Sequence, residues 1–296
     1  MSDSDDDEEP FPGLPLESAF ILNGMFALSA RFSTSKSLSH LDAKDRGTAF
    51  AKRAEQLYER QLRLETFSQP SLPFLQGCLL LAAYYLGAGV CSRAWLITGV
   101  CSRLAYDLRL HTLDDDVISG GKHLDGKDWI EREERRRTWW SSWELDNFAS
   151  TVSGRPYGHD KGQLQVLLPV SDEAWFSNTP IASAPLHTDT LKVWKSLERC
   201  QNQDERAWFL LSIYLVRLSY DISRSPGYPQ NHKDIKTAID CFALVLPRKF
   251  DLSNGGLLFD QRNWRNSCWI IGTNLMVQGY VQFLFHFLSM LLVTDA

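Results

Sequence analysis

Residues 131–156 read Glu-Arg-Glu-Glu-Arg-Arg-Arg-Thr-Trp-Trp-Ser-Ser-Trp-Glu-Leu-Asp-Asn-Phe-Ala-Ser-Thr-Val-Ser-Gly-Arg-Pro. Glu131 and Glu133 precede Arg135 and Arg137 by four residues, the favourable order for ion pairs along a helix. Acids in the first turn also complement the helix dipole. At 100° per residue, Trp139, Trp140 and Trp143 fall on one side and Leu145, Phe148 and Val152 on the other. A helix apolar on both sides is expected to lie buried between neighbours. Gly154 suits a left-handed stop, and Pro156 prevents continuation. Asp146 sits within this apolar stretch, where a carboxylate without a partner is costly; Arg155 and Arg103 are the candidate partners. No catalytic motif has this shape, and the stretch reads as the central helix of an all-α protein.

The flanking sequence carries the same helical period. Ala19 to Phe32 is apolar, and Lys44 to Glu65 repeats Phe50, Ala54, Leu57, Tyr58 and Leu62 at three- and four-residue steps. Ser71 can cap the next helix, whose run from Leu79 to Leu86 must be buried on most sides before Gly87 and Gly89 end it. Cys91 to His111 has a core stripe of Ile97, Cys101, Leu104 and Leu108, with Ala94 and Ala105 permitting close approach. Arg103 and Asp107, four apart, are placed to pair on its surface. Residues 112–127 and 158–185 are two loop-rich insertions. Leu191 to Ile222, Lys233 to Leu246 and Asn263 to Val293 read as further helices. No clear repeat of 30–45 residues is present, so a regular helical solenoid is not supported. The expected fold is an all-α, irregular multi-helix bundle of long antiparallel helices with two loop-rich insertions. It occupies 17–296 as one domain, ending inside an apolar helix as though incomplete there, after a disordered acidic tail over 1–16.

Charge and cysteine usage narrow the function. The net charge of −5 comes from the tail: Asp3, Asp5, Asp6, Asp7, Glu8 and Glu9 are its six acids, and the rest of the chain has 31 bases against 30 acids. A neutral body lacks the positive excess of a nucleic-acid-binding surface. The glutamates beside Arg135, Arg136 and Arg137 neutralise that triplet and argue against an import signal or a DNA contact. Cys78, Cys91, Cys101, Cys200, Cys241 and Cys268 form no Cys-x-x-Cys pair, so no finger-type zinc site is encoded. They read as buried, reduced thiols of a cytosolic or nuclear protein.

The stretch from Asn266 to Thr294 has no charged residue and is long enough to span a bilayer. Asn274, Gln278, Gln282 and His286 nevertheless make a polar stripe every four residues, which favours a helix packed in protein.

At the Trp-Trp helix the chain resembles the fungal-specific transcription factor regulatory domain, the middle homology region of zinc binuclear cluster regulators. The matching residues are Glu133 or Glu134 leading into Arg135, Arg136, Arg137, Trp139 and Trp140, then Leu145-Asp146, then Gly154-Arg155-Pro156. Upstream, Ala94-Trp95-Leu96 through Gly99, then Arg103-Leu104-Ala105 and Leu108 to His111, follow the family's course. Asn147 replaces the usual basic residue, and Arg109 stands where glycine is common. The resemblance is strongest from about Ala51 to Pro169. It implies a nuclear regulator of RNA polymerase II transcription, acting through the transcription machinery or co-regulator proteins, with homodimerisation as a further expectation. It implies no membrane partner, no catalytic, cofactor-binding or metal residue in this chain, and DNA and zinc bound only through an N-terminal cluster that these 296 residues do not contain. Trp95, Arg103, Arg136, Trp139, Trp140, Asp146, Gly154, Arg155 and Pro156 are its motif residues, with a structural role.

Two alternatives belong to other classes. An all-helical lyase needs carboxylates spaced to hold magnesium, and Asp114-Asp115-Asp116 is followed by Val117, Ile118 and Ser119, without the third ligand. No His-Glu-x-x-His, Gly-x-Ser-x-Gly or phosphate-binding glycine loop occurs, and His111, His123, His159 and His187 read as scattered surface or capping residues. The other is a membrane-associated protein using residues 266–294.

Overall fold

The computed structural model describes residues 13–64, 69–120, 126–162, 164–224, 229–252, 257, 259–261 and 263–294. Most of the expected acidic tail, His123, and the side chains of Gln282 and His286 lie outside them. The fold is all-α: the described residues contain no β-strand, only an isolated antiparallel bridge between Leu167 and Pro185. The chain divides into two compact units, one of residues 1–108 and 148–158, the other of 109–147 and 159–296.

The first unit is built from α1 (Leu16–Ser29), α2 (Thr48–Leu62), α3 (Leu72–Ala88), α4 (Ser92–Asp107) and the last turns of a longer helix. Ser71 caps α3 by accepting the Phe74 amide at 3.1 Å, and Cys91 accepts the Ala94 amide at 3.4 Å to start α4. α1 packs on α2 and α3, and α3 on α4. Tyr58 stacks on Phe74 with ring centroids 5.8 Å apart and planes 2° apart, and Phe20 is tilted against both. This closeness depends on glycine. A Cβ on Gly77 would meet Phe20 Cε1 at 2.6 Å, and one on Gly24 would meet Leu80 Cβ at 2.7 Å. The expected α4 stripe is present: Ile97, Cys101, Ala94 and Ala105 are buried, with Leu104 and Leu108 half-buried.

The second unit centres on α8 (Glu205–Arg224), where Ala207, Trp208, Leu210, Leu211, Tyr214 and Leu215 are buried. α9 (Pro229–Val245), α10 (Trp264–Thr294) and a 3₁₀ turn at Thr190–Lys195 pack against it. A helix expected over Leu191 to Ile222 is instead broken between 196 and 204. Local side chains there outcompete the helical ladder: Asn202 accepts the Asp204 amide at 3.1 Å, Asp204 accepts the Arg206 amide at 3.0 Å, and Gln203 donates to the Leu197 and Cys200 carbonyls. In α10, Asn274 donates to Phe250 O at 3.1 Å, so the polar stripe begins on a polar seam, while Gln278 is exposed. No helix among the described residues is long and apolar enough to cross a membrane.

A 3₁₀ turn at Leu110–Thr112 leads into the first insertion, which holds the short α5 (Asp115–Ile118); the second holds α7 (Asp172–Phe176). Between them runs α6 (Gly126–Ser153), whose residues belong to the second unit through Asn147 and to the first from Phe148. Trp139, Trp140 and Trp143 are fully buried. The opposite face is not, because Phe148 is 47% and Val152 56% exposed, which corrects the expectation of burial on both sides. The cysteines also differ from expectation: Cys78 and Cys101 are buried, Cys200 and Cys241 are intermediate, and Cys91 and Cys268 are exposed.

Candidate functional site

In the second unit the charged half of α6 holds down the two insertions. Arg136 grips Asp114 with two bonds, Nε to Oδ2 at 2.7 Å and Nη2 to Oδ1 at 2.6 Å, and its Nη1 reaches Glu133 at 3.3 Å. All three side chains are buried; Asp114 and Glu133 have no exposed surface. Backbone amides bond both carboxylates as well: Leu167 N donates to Asp114 Oδ2, shared with Arg136 Nε, and Val170 N to Glu133 Oε1, each at 2.9 Å. Trp140 Nε1 donates to Leu167 O at 2.8 Å. Residues 164–170 have almost no strand pairing, so Asp114 and α6 side chains supply the partners that a sheet would otherwise give.

Arg137 extends the network outward. It donates to Glu133 at 3.3 Å, to Asp172 at 2.5 Å and to Val170 O at 2.6 Å, and lies over the Trp175 ring at 4.5 Å. Arg265 binds the other Asp172 oxygen at 2.9 Å. Burial pushes the Glu133 carboxyl up, against the pull of Arg136, the Val170 amide and Arg137. Burial works the same way on Asp172, but there the bonds from Arg137 and Arg265 prevail and hold it below its usual range. Burial opposes the charge of Arg136, yet Asp114 and Glu133 outweigh it and raise its pKa.

Further along α6, Asp146 Oδ2 accepts the His159 amide at 2.9 Å and lies 3.3 Å from His159 Nδ1. The His159 ring meets Trp139 edge-on at 4.9 Å, and its Nε2 is 3.4 Å from Ser142 Oγ. This corrects one expectation: His159 is 1% exposed and bonded to Asp146 rather than a surface residue. In the first unit, Arg103 is exposed and donates to Gly99 O at 3.0 Å, and Arg155 lies over the Trp95 ring at 5.0 Å.

That last contact joins two distant motifs within the first unit. The Gly154 amide bonds Thr151 O at 3.4 Å and the Arg155 amide bonds Ser150 O at 3.1 Å. With Gly154 at φ +68°, these are the paired bonds of a Schellman helix end. Pro156 O accepts from Ser150 Oγ at 3.1 Å. The stop therefore aims Arg155 at Trp95, which is 36% exposed and reaches no deep core. Arg109, at the position where the family commonly has glycine, has a left-handed φ of +54°.

Beside the Arg137–Asp172 pair, in the second unit, opens a cavity of about 450 Å³. Its wall includes Lys249, which is paired with Glu205 at 2.7 Å. Arg206 bonds Ser141 Oγ at 2.9 Å and lies 5.6 Å from the Trp269 ring. Asp204 and Glu173 complete the charged lining and make no ion pair among the described residues. Burial, then the neighbouring Glu205, pushes Asp204 above its ordinary value. Among the described residues, no group of three or more His, Cys, Asp or Glu is placed to hold a metal ion.

Sequence reasoning named the α6 residues of this site and the Glu133–Arg137 pair, but not their partners outside the helix. Asp114 appeared only as part of an incomplete magnesium motif. The signal for the second insertion was the apolar run Leu164, Val166, Leu168 and Val170, all buried, which is unusual for a surface loop.

The fungal specific transcription factor domain matches residues 7–251. A transcriptional regulatory protein of Schizosaccharomyces pombe is 26% identical over 80% of this chain and 25% of its own length. A positive regulator of purine utilization from Emericella nidulans is 27% identical over 57% of this chain and 20% of its own. A Zn(2)-C6 fungal-type transcription factor of Fusarium oxysporum is 30% identical over 49% of this chain and 15% of its own. The chain thus spans a quarter or less of the length of these relatives. No solved structure matches it.

Proposed function

Because the chain belongs to the fungal specific transcription factor domain family, we propose that it regulates the output of a fungal RNA polymerase II transcription factor in the nucleus. Control runs through contacts with another part of the same protein, a co-regulator, the transcription machinery or a small molecule. Self-association is a further route. DNA is read, and zinc held, by a cluster that these 296 residues do not contain. The observation that carries this reading is the family match across 7–251, which takes in both motif groups and the insertions they organise.

Asp114, Glu133 and Asp172 each face an arginine, so none stands ready as an acid or base. Arg136 and Arg137 are occupied inside the unit, which leaves only Arg135 of the triplet exposed and argues against a basic import or DNA-contact patch.

The test is a reporter assay in a fungal host. The chain is inserted between a heterologous DNA-binding domain and an activation segment, and output is compared with the same fusion lacking it. A severalfold change at equal protein level is expected; equal output in every growth condition overturns the reading.

A further inference from the structure

We propose that the cavity beside Arg137 and Asp172 binds a small, net-neutral zwitterion of the free amino acid type, with its ammonium group on Asp204 and its carboxylate on Arg206 and Arg265. This names the ligand class for small-molecule control and rests on the regulatory reading above.

The argument starts from size and charge. A volume of about 450 Å³ lies within the range of small-molecule sites, but such sites are usually apolar and this one is lined by four bases and four acids. Among them, Asp172 is shared by Arg137 and Arg265, and Lys249 pairs with Glu205. Asp204 feels Lys249 and Arg137 only at longer range, and neither it nor Glu173 makes a direct ion pair among the described residues. Arg206 has one carboxylate contact among the described residues, Glu144, at a long 3.5 Å. Arg265 binds Asp172 through Nη1 alone and is 58% exposed, so its other donors are open.

The unmet needs are therefore of both signs. A net anion would face Asp204 and Glu173, and a net cation would face Arg206 and Arg265. A zwitterion satisfies both through charge-assisted bonds. The carboxylate of Asp204 is partly desolvated without an ion-pair partner in the free protein, and an incoming ammonium relieves that cost.

The test is calorimetric titration of the whole 296-residue chain with each of the common free L-amino acids. Matched amines lacking the carboxylate, and matched acids lacking the amine, serve as controls. At least one amino acid is expected to bind saturably, with its two half-charged analogues about tenfold weaker or worse. Asp204→Asn keeps an oxygen for the Arg206 amide and removes the charge; Arg265→Gln alters an exposed side chain. Each is expected to weaken binding about tenfold with an unchanged circular dichroism spectrum. No binding up to about 10 mM, a free energy weaker than about −3 kcal/mol, overturns the proposal. So does equal binding of a half-charged analogue, or unchanged affinity in both folded variants. Reporter control without amino acid binding sinks only this ligand assignment. Binding without any reporter response sinks the regulatory role and leaves the site standing.

Discussion

Replacing Arg136 with methionine removes the cation between two carboxylates that have no contact with solvent. Asp114 loses bonds of 2.7 and 2.6 Å and keeps the Leu167 amide, with Arg132 at 3.7 Å. Glu133 loses one bond of 3.3 Å and keeps Arg137 and the Val170 amide. Breaking a buried pair from one side costs about 3–5 kcal/mol, because the surviving charge is stranded. The loss falls mostly on Asp114, since Glu133 retains a second arginine. Urea unfolding should therefore show Arg136→Met destabilised by that amount. Asp114→Asn keeps an acceptor for the Leu167 amide and removes the stranded charge. In the Arg136→Met background it should recover about 1–3 kcal/mol relative to the sum of the single changes. Hydrogen exchange supplies a local readout, because the Leu167 and Val170 amides should lose protection in Arg136→Met ahead of the α8 core. A variant within about 0.5 kcal/mol of the parent, or strict additivity in the cycle, would refute the argument.

Arg109→Gly relieves a left-handed backbone that costs a side chain about 1–2 kcal/mol, set against an unfolded-state penalty of about 0.4–1 kcal/mol; a net gain of about 0.5–1 kcal/mol should appear in the urea midpoint. Gly77→Ala forces a methyl into the Phe20 ring, and overpacking of this kind costs about 1–3 kcal/mol, read as a lower midpoint with the fold retained. Asp172 titrates below its usual 3.8 in the folded chain, so its stabilising contribution is present above that pH and is lost as pH falls through the lower folded value. Below about pH 4 the parent's Tm should therefore drop more steeply than that of Asp172→Asn, measured by scanning calorimetry.

The helices were legible because their cores repeat at the helical period: α2, α3 and α4 lie within stretches that the pattern marked, and α6 does so from Glu131, its start at Gly126 falling in the expected loop. The break at 196–204 was not, because Asn202, Gln203 and Asp204 act on nearby backbone atoms and leave the apolar rhythm of Leu191 to Ile222 intact. Phe148 and Val152 misled for a related reason. Periodicity says which residues share a face but not whether a neighbour covers it. In the candidate site, charge spacing revealed the Glu133–Arg137 pair, whose partners lie four apart. The Arg136–Asp114 and Asp146–His159 contacts join residues 22 and 13 apart, and no local pattern records them.

The placement of the indoles makes the chain its own fluorescent reporter. Of its ten tryptophans, Trp95 alone belongs to the unit of residues 1–108 and 148–158. It is partly open to solvent beneath a guanidinium, whereas Trp139, Trp140, Trp143 and Trp208 are sealed. Iodide, drawn to the positive charge of Arg155, should quench Trp95 emission more strongly than caesium does, as it should Trp264, 48% exposed beside Arg265 and removable as Trp264→Phe. The unquenched remainder then follows the integrity of the other unit, and no dye or engineered label is required.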